Sequence, residues 1–132
     1  MRLGWYGSAR LVGRRAPPAA EECAFIVWSG SNELDDAWQR AQLRRLTSEP
    51  RVVAQVDTHQ DALAAVRAGL GVALLSEPRT DGLRKLPFAE PNECFGVWLL
   101  THPDLRRSGR VRALFDFVAK AQDTVASRKK RT

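Results

Sequence analysis

Two histidines, two cysteines, one methionine and one tyrosine are all that this 132-residue chain holds of those types. Their scarcity excludes whole classes of chemistry. Cys23 and Cys94 have no metal-ligand spacing around them, and His59 and His102 fall in no GxSxG, HExxH or Cys-x-x-Cys context, so the sequence predicts neither a metal centre nor a hydrolase. Ala68-Gly69-Leu70-Gly71 closes a helix instead of linking a strand to a helix start, so its glycines cannot form a dinucleotide-binding turn. No cofactor and no catalytic residue is therefore expected. Long apolar runs are missing too: AFIVW at 24–28 and VALL at 72–75 fall far short of the roughly 20 residues that a bilayer span needs. A secretory leader is not read either, because Arg10, Arg14 and Arg15 stand where its apolar stretch would be. The expected compartment is cytoplasmic, which favours two free thiols over the Cys23–Cys94 pairing that the sequence also allows. Internal repeats are absent, and the basic end is the one biased tract.

What is present fits one modest soluble domain, or the larger part of one, since 44% apolar residues suffice to fill a core. The formal charge of +6 suggests nucleic acid at first sight, but Arg128, Lys129, Lys130 and Arg131 supply four of those charges in a terminal run without interleaved aromatics. Such a run reads as a solvated end. Direct DNA binding is not expected from it.

Residues 3–6 read as a short strand, and 8–14 as a turn or single helical turn before Pro17 and Pro18 end regular structure. CAFIVW at 23–28 is a continuous apolar run stopped by Ser29, Gly30, Ser31 and Asn32, which suits a parallel-sheet strand covered on both faces. Leu34, Ala37, Trp38 and Ala41 recur at helical spacing, with Asp35 and Asp36 early and Arg44 and Arg45 late, predicting a helix over 34–46. Residues 51–56 are the next strand. Ala62, Leu63, Val66 and Leu70 share one face of the helix that follows, Gly69 offers its left-handed stop, and residues 72–75 return as a buried strand. Strand, helix, strand at that spacing is a βαβ crossover with both strands parallel in one sheet. The fold class expected is α/β, a mostly parallel sheet flanked by helices. Residues 83–87 read as a short edge segment and FGVWLLT at 95–101 as a further strand. His102-Pro103-Asp104 begins a turn. Val111, Leu114, Phe115 and Val118 mark an amphipathic helix over 108–122, its apolar face widened by Ala113, Phe117 and Ala121.

In an open parallel sheet, ligands bind beyond the carboxyl ends of the strands, where helix N-termini present unpaired N–H groups. Thr58 sits at such a point. With Asp61 three residues on, it caps the helix, and capping alone or capping joined to ligand contact by Thr58 and His59 both fit. Trp28, Ser29 and Gly30 leave a second strand, and Ser76 leaves a third. Trp28 suits a cleft wall or the core equally, and Ser31 suits a helix cap. Trp28, Ser29, Gly30, Thr58, His59 and Ser76 are the candidate ligand-binding set.

DTHQDALAAVRAGLGVALLS, then GLRKL, then VWLLTHPDLRRSGRVRALFDFVA closely resemble the C-terminal part of the effector-binding domain of LysR-type transcriptional regulators. LGWYGSARL resembles the crossover into that part. The resemblance extends to about Ala121. It implies a type 2 periplasmic-binding-protein architecture, in which two Rossmann-like α/β subdomains joined by two crossing strands hold a small effector between them. Residues 1–101 are then similar to the second subdomain with both crossover strands, at 3–6 and 97–101. Residues 102–122 resemble the returning helix that packs on the first subdomain, and 123–132 form a basic disordered tail. By position, Trp28, Ser29, Gly30, Thr58 and His59 are similar to effector-facing segments, while Ser76 departs where the family often has proline. The family's winged helix-turn-helix, dimerising linker and first subdomain would all precede Met1, so the resemblance implies a truncated regulator carrying a partial effector-binding domain.

The leading expectation is a non-catalytic sensor of a small polar metabolite, a carboxylate above all, acting by population shift. Two alternatives stand beside it. A solute-binding protein of the same fold would need an export signal, and a small basic nucleic-acid binder would show steeply salt-dependent affinity. The wide face of the last helix predicts a homodimer through that helix or the sheet, a fold-back, or an exposed apolar patch.

Overall fold

Residues 2–13, 16–29, 36–76, 80, 82–93 and 99–130 are described in a computed structural model of the chain, the side chains of 124–130 excepted. The chain forms two compact units, Met1–Phe95 and Gly96–Thr132.

In the first unit, strand β1 (Leu3–Ser8) passes directly into α1 (Ala9–Val12), because Ser8 is extended and its hydroxyl accepts the Leu11 N–H as an N-cap. One helical turn is all that Gly13 allows, at φ 71°. After a 3-10 turn at Ala20–Glu22, the apolar run becomes β2 (Ala24–Trp28), buried on both faces as its sequence predicts. Helix α2 (Asp36–Leu46), strand β3 (Arg51–Val56), helix α3 (His59–Arg67), strand β4 (Ala73–Ser76) and the short edge strand β5 (Leu83–Lys85) follow. Gly69 ends α3 at φ 83°, the left-handed conformation expected of it.

The sheets are mixed, which corrects the expectation of a mostly parallel one. β2 and β3 pair in parallel, from Ala24↔Arg51 to Trp28↔Val56. β1, however, lies antiparallel between β4 and β5, with Leu3↔Ser76 and Tyr6↔Lys85 in register. β1 is buried at every position, so its side-chain pattern carries no mark of direction. The two ladders meet at one residue: Val72 donates to Ala24 O at 2.8 Å and accepts from Ile26 N at 2.9 Å, a parallel bridge beside β2. The preceding residue must be glycine, since a Cβ on Gly71 would lie 2.6 Å from Ala24 O and 3.0 Å from its carbonyl carbon.

The core gathers Trp5, Phe25, Ile26, Val27, Leu43, Val66, Val72, Leu74, Leu75 and Leu86. Trp5 and Phe25 meet edge to face at 5.6 Å between centroids. α3 buries Ala62, Leu63 and Val66, as expected, but Leu70 falls beyond the helix and is 57% exposed. Of the face expected for α2, Trp38 is half-buried against the core and Leu34 lies outside the described residues, but Ala37 and Ala41 are exposed, while Gln39, Gln42 and Leu43 are buried. Exposing two alanines sacrifices little apolar area, and Gln39 finds main-chain partners inside. The Cys23 thiol is buried and donates to Ala19 O at 3.4 Å. Burial pushes its pKa up, Glu22 and Glu21 add to that, and Arg51 opposes it. Cys94 lies outside the described residues, as do 95–98 of the strand expected over 95–101; residues 99–101 are not in a strand.

The second unit contains a 3-10 turn at Pro103–Leu105 and α4 (Gly109–Lys130). His102 caps the turn, its Nδ1 accepting the Asp104 N–H at 3.2 Å. α4 runs to Lys130, past the end at 122 expected for this helix. No proline or glycine interrupts 110–130, lysine, arginine, alanine and glutamine are good helix formers, and a basic end complements the helix dipole.

Candidate functional site

β2 hydrogen-bonds on both edges, with alternate residues serving opposite neighbours. Ala24 and Ile26 turn their main-chain groups to Val72, and the period of two puts those of Trp28 on the same side. Among the described residues no strand meets Trp28 there. Instead the Gln39 side chain of α2 accepts from Trp28 N at 3.1 Å and donates to Trp28 O, replacing a strand partner with one amide. Leu74 O is taken by the Trp28 indole N–H at 2.8 Å. Trp28 is accordingly a core residue, only 4% exposed.

Those bonds fix the strand end from which Ser29 emerges. Ser29 is half-buried, and its N–H donates to Val56 O at 3.0 Å, which holds the ends of β2 and β3 together. Two residues beyond Val56, Thr58 opens α3. Its Oγ1 accepts from Asp61 N at 3.1 Å and donates to Asp61 Oδ2 at 2.7 Å, so the expected cap forms with both partners. His59, the first residue of α3, reaches back to the end of β4. Its Nε2 accepts the Ser76 N–H at 3.1 Å and lies 3.3 Å from Ser76 Oγ, and its ring meets Trp28 edge to face at 5.1 Å. An accepting Nε2 puts the ring proton on Nδ1.

The carboxyl ends of β2, β3 and β4 therefore converge, bringing Trp28, Ser29, Thr58, His59 and Ser76 into one neighbourhood; Gly30 and Ser31 lie outside the described residues. Thr58 is exposed and Ser29 and His59 are half-buried, whereas Trp28 and Ser76 are buried. The positive end of α3 adds a favourable field for an anion at this rim. Among the described residues no group of three or more His, Cys, Asp or Glu side chains could hold a metal, and no helix is long and apolar enough to cross a membrane.

Gln39 is the residue that the sequence reading missed. Its one signal is position, since it precedes the buried Gln42 and Leu43 by three and four residues on the same helical face. A polar side chain on an inward face needs a buried partner, and the unpaired end of β2 supplies it.

Thr58→Ala is expected to cost about 1 kcal/mol of stability, the usual loss for a helix cap, with Thr58→Ser restoring most of it. Urea unfolding monitored by tryptophan fluorescence measures this. Equal midpoints for wild type and Thr58→Ala would show that the cap contributes nothing.

A family model described as LysR substrate binding domain matches residues 2–123 of the chain. No curated protein matches it.

Proposed function

The chain belongs to the LysR substrate-binding domain family, and from that premise we propose that it is the ligand-sensing part of a LysR-type transcriptional regulator, with its ligand at the rim where β2, β3 and β4 end. Domains of this family serve in regulation by binding ligands, not in catalysis. The observation that carries the reading is the convergence of Ser29, Thr58, His59 and Ser76, delivered by three strand ends and one helix start.

The ligand class follows from what the rim offers. Ser29 supplies a hydroxyl, α3 supplies its first N–H groups, and the helix dipole favours negative charge. A small carboxylate fits this better than a cation. Ser29, Thr58 and His59 face the ligand in this reading, while Trp28 and Ser76 hold the His59 ring in place. Ligand occupancy would then bias the geometry of the assembled regulator through its differential affinity for two states.

Calorimetric titration with a panel of aromatic and aliphatic carboxylates tests the proposal. At least one is expected to bind, and Ser29→Ala is expected to weaken it about fivefold, the value of one net hydrogen bond. Failure of the whole panel, or affinity unchanged by both Ser29→Ala and Thr58→Ala, would remove the rim as the site.

A further inference from the structure

In Val72 and β4, alternate residues turn their main-chain groups away from β1 and toward the parallel pair. Val72 exchanges main-chain bonds with Ala24 and Ile26, Leu74 O takes the Trp28 indole N–H at 2.8 Å, and Ser76 N–H goes to His59 Nε2 at 3.1 Å. Backbone, indole and imidazole thus tie one ladder to the other at successive positions. Only the last tie can change charge. A main-chain amide and an indole N–H are fixed donors, whereas histidine, with an ordinary pKa of about 6.5, gains or loses its charge between about pH 5 and 8.

That tie needs a neutral ring. A donor can be accepted only by a nitrogen without a proton, so an imidazolium would set N–H against N–H across 3.1 Å. His59 is also the first residue of α3, where the positive end of the helix dipole opposes a cation. A second partner stands ready: Ser76 Oγ lies 3.3 Å from the same nitrogen, and a hydroxyl can donate to the neutral ring or accept from the charged one. His59 is half-buried, so a proton reaches it in the folded chain. Of the elements packed on α3, β2 and β4 contain no titratable side chain, and β3 has Arg51 at its opposite end and Asp57 directly after it. β1 has the buried Tyr6, paired with Ala73 away from this end, and is preceded by Arg2, next to the Leu3 that pairs with Ser76. Asp61 of α3 is engaged by Thr58. Arg2, Asp57 and Asp61 are all exposed, where water and salt screen them.

We propose that His59 is a proton-operated latch: the neutral ring ties the end of β4 to α3 through the Ser76 N–H, and protonation breaks that tie and turns Nε2–H to Ser76 Oγ. The Ser76 amide is then left without its acceptor, and the strand end loosens. The ties at Val72 and Leu74 persist, so the opening is confined to the last residue of β4. The latch works in the unliganded chain, and its test is therefore separate from whether the rim binds a carboxylate.

The test follows the isotope-labelled full chain by NMR from about pH 8 to 5, reading the His59 ring, the Ser76 amide and, as reference, the Val72 amide. The Ser76 resonance is expected to move with the same midpoint as the His59 ring. Its hydrogen-exchange protection, corrected for the intrinsic rate, should fall about tenfold on the acid side, the worth of one hydrogen bond, while Val72 keeps its own. His59→Gln offers an oxygen that can take the Ser76 N–H and does not titrate, so its Ser76 protection should no longer depend on pH. His102→Gln, in the other unit, should leave the Ser76 titration as in wild type. A His59 ring that stays neutral to the acid limit of the series, a Ser76 amide indifferent to the ring's titration, or a Ser76 titration that survives in His59→Gln would each overturn the proposal. The first two are read on the wild-type chain, so they decide even if the glutamine variant does not fold.

Discussion

Gln39→Leu is expected to lower the unfolding free energy by about 2–5 kcal/mol, because it strips the Trp28 N–H and C=O of their partner at once and leaves both in the core. Leucine has nearly the volume of glutamine and belongs on a buried helix face, so hydrophobicity alone predicts the opposite sign. The experiment therefore separates two accounts of α2. Gln39→Glu keeps the acceptor for Trp28 N but loses the donor for Trp28 O and buries a carboxyl, so it should also destabilise. Urea unfolding gives both values. A leucine variant as stable as wild type would mean that β2 ends without needing its side-chain partner, and the position of Ser29 would lose its explanation.

Gly71→Ala is expected to cost roughly 3 kcal/mol, at the upper end of overpacking effects, because the new methyl meets backbone that cannot step aside. Its Cβ would lie 2.6 Å from Ala24 O, the atom that accepts the Val72 N–H. Relief requires moving Gly71 away from β2, which breaks the bridge between the ladders. Gly69→Ala is the informative control. There the nearest atom is Ser8 Oγ at 3.7 Å, so the cost is that of φ 83° alone, about 1–2 kcal/mol. Thermal or urea unfolding should rank Gly71→Ala below Gly69→Ala, and the reverse order would dismiss the close approach.

Both positions show where sequence reasoning reaches and where it stops. The β2 run, the Thr58 cap, the Gly69 stop and the αβ alternation are local: neighbours in the chain determine each, and each is found as expected. The gathering of Ser29, Thr58, His59 and Ser76 was legible through one general rule, that strand ends and helix starts share an edge. Strand direction was not legible. β1 is apolar on both faces, and only its hydrogen bonds to β4 and β5 reveal that it runs against them. The inward face of α2 was misread in part, at Ala37, Ala41 and Gln39 and not at Trp38, because alanines weigh as apolar in a periodicity and a glutamine weighs as polar, whatever main-chain groups await it. α4 was cut short for a similar reason: a charged terminal run suggests solvated coil, although its residues favour helix.

The Val72 bridge has a mechanical meaning for the rim. Ser29 and Thr58 stand at the end of the parallel pair, and Ser76 at the end of the antiparallel trio, so the rim straddles a seam stitched by two main-chain hydrogen bonds. Two polar side chains cross it: the Trp28 indole donates to Leu74 O, and His59 grips Ser76 from a helix rooted after β3. A guest touching Ser29 and His59 together would clamp the sheet where its own fabric is thinnest, and the stiffness it lent would travel into β1 along the whole β4 ladder.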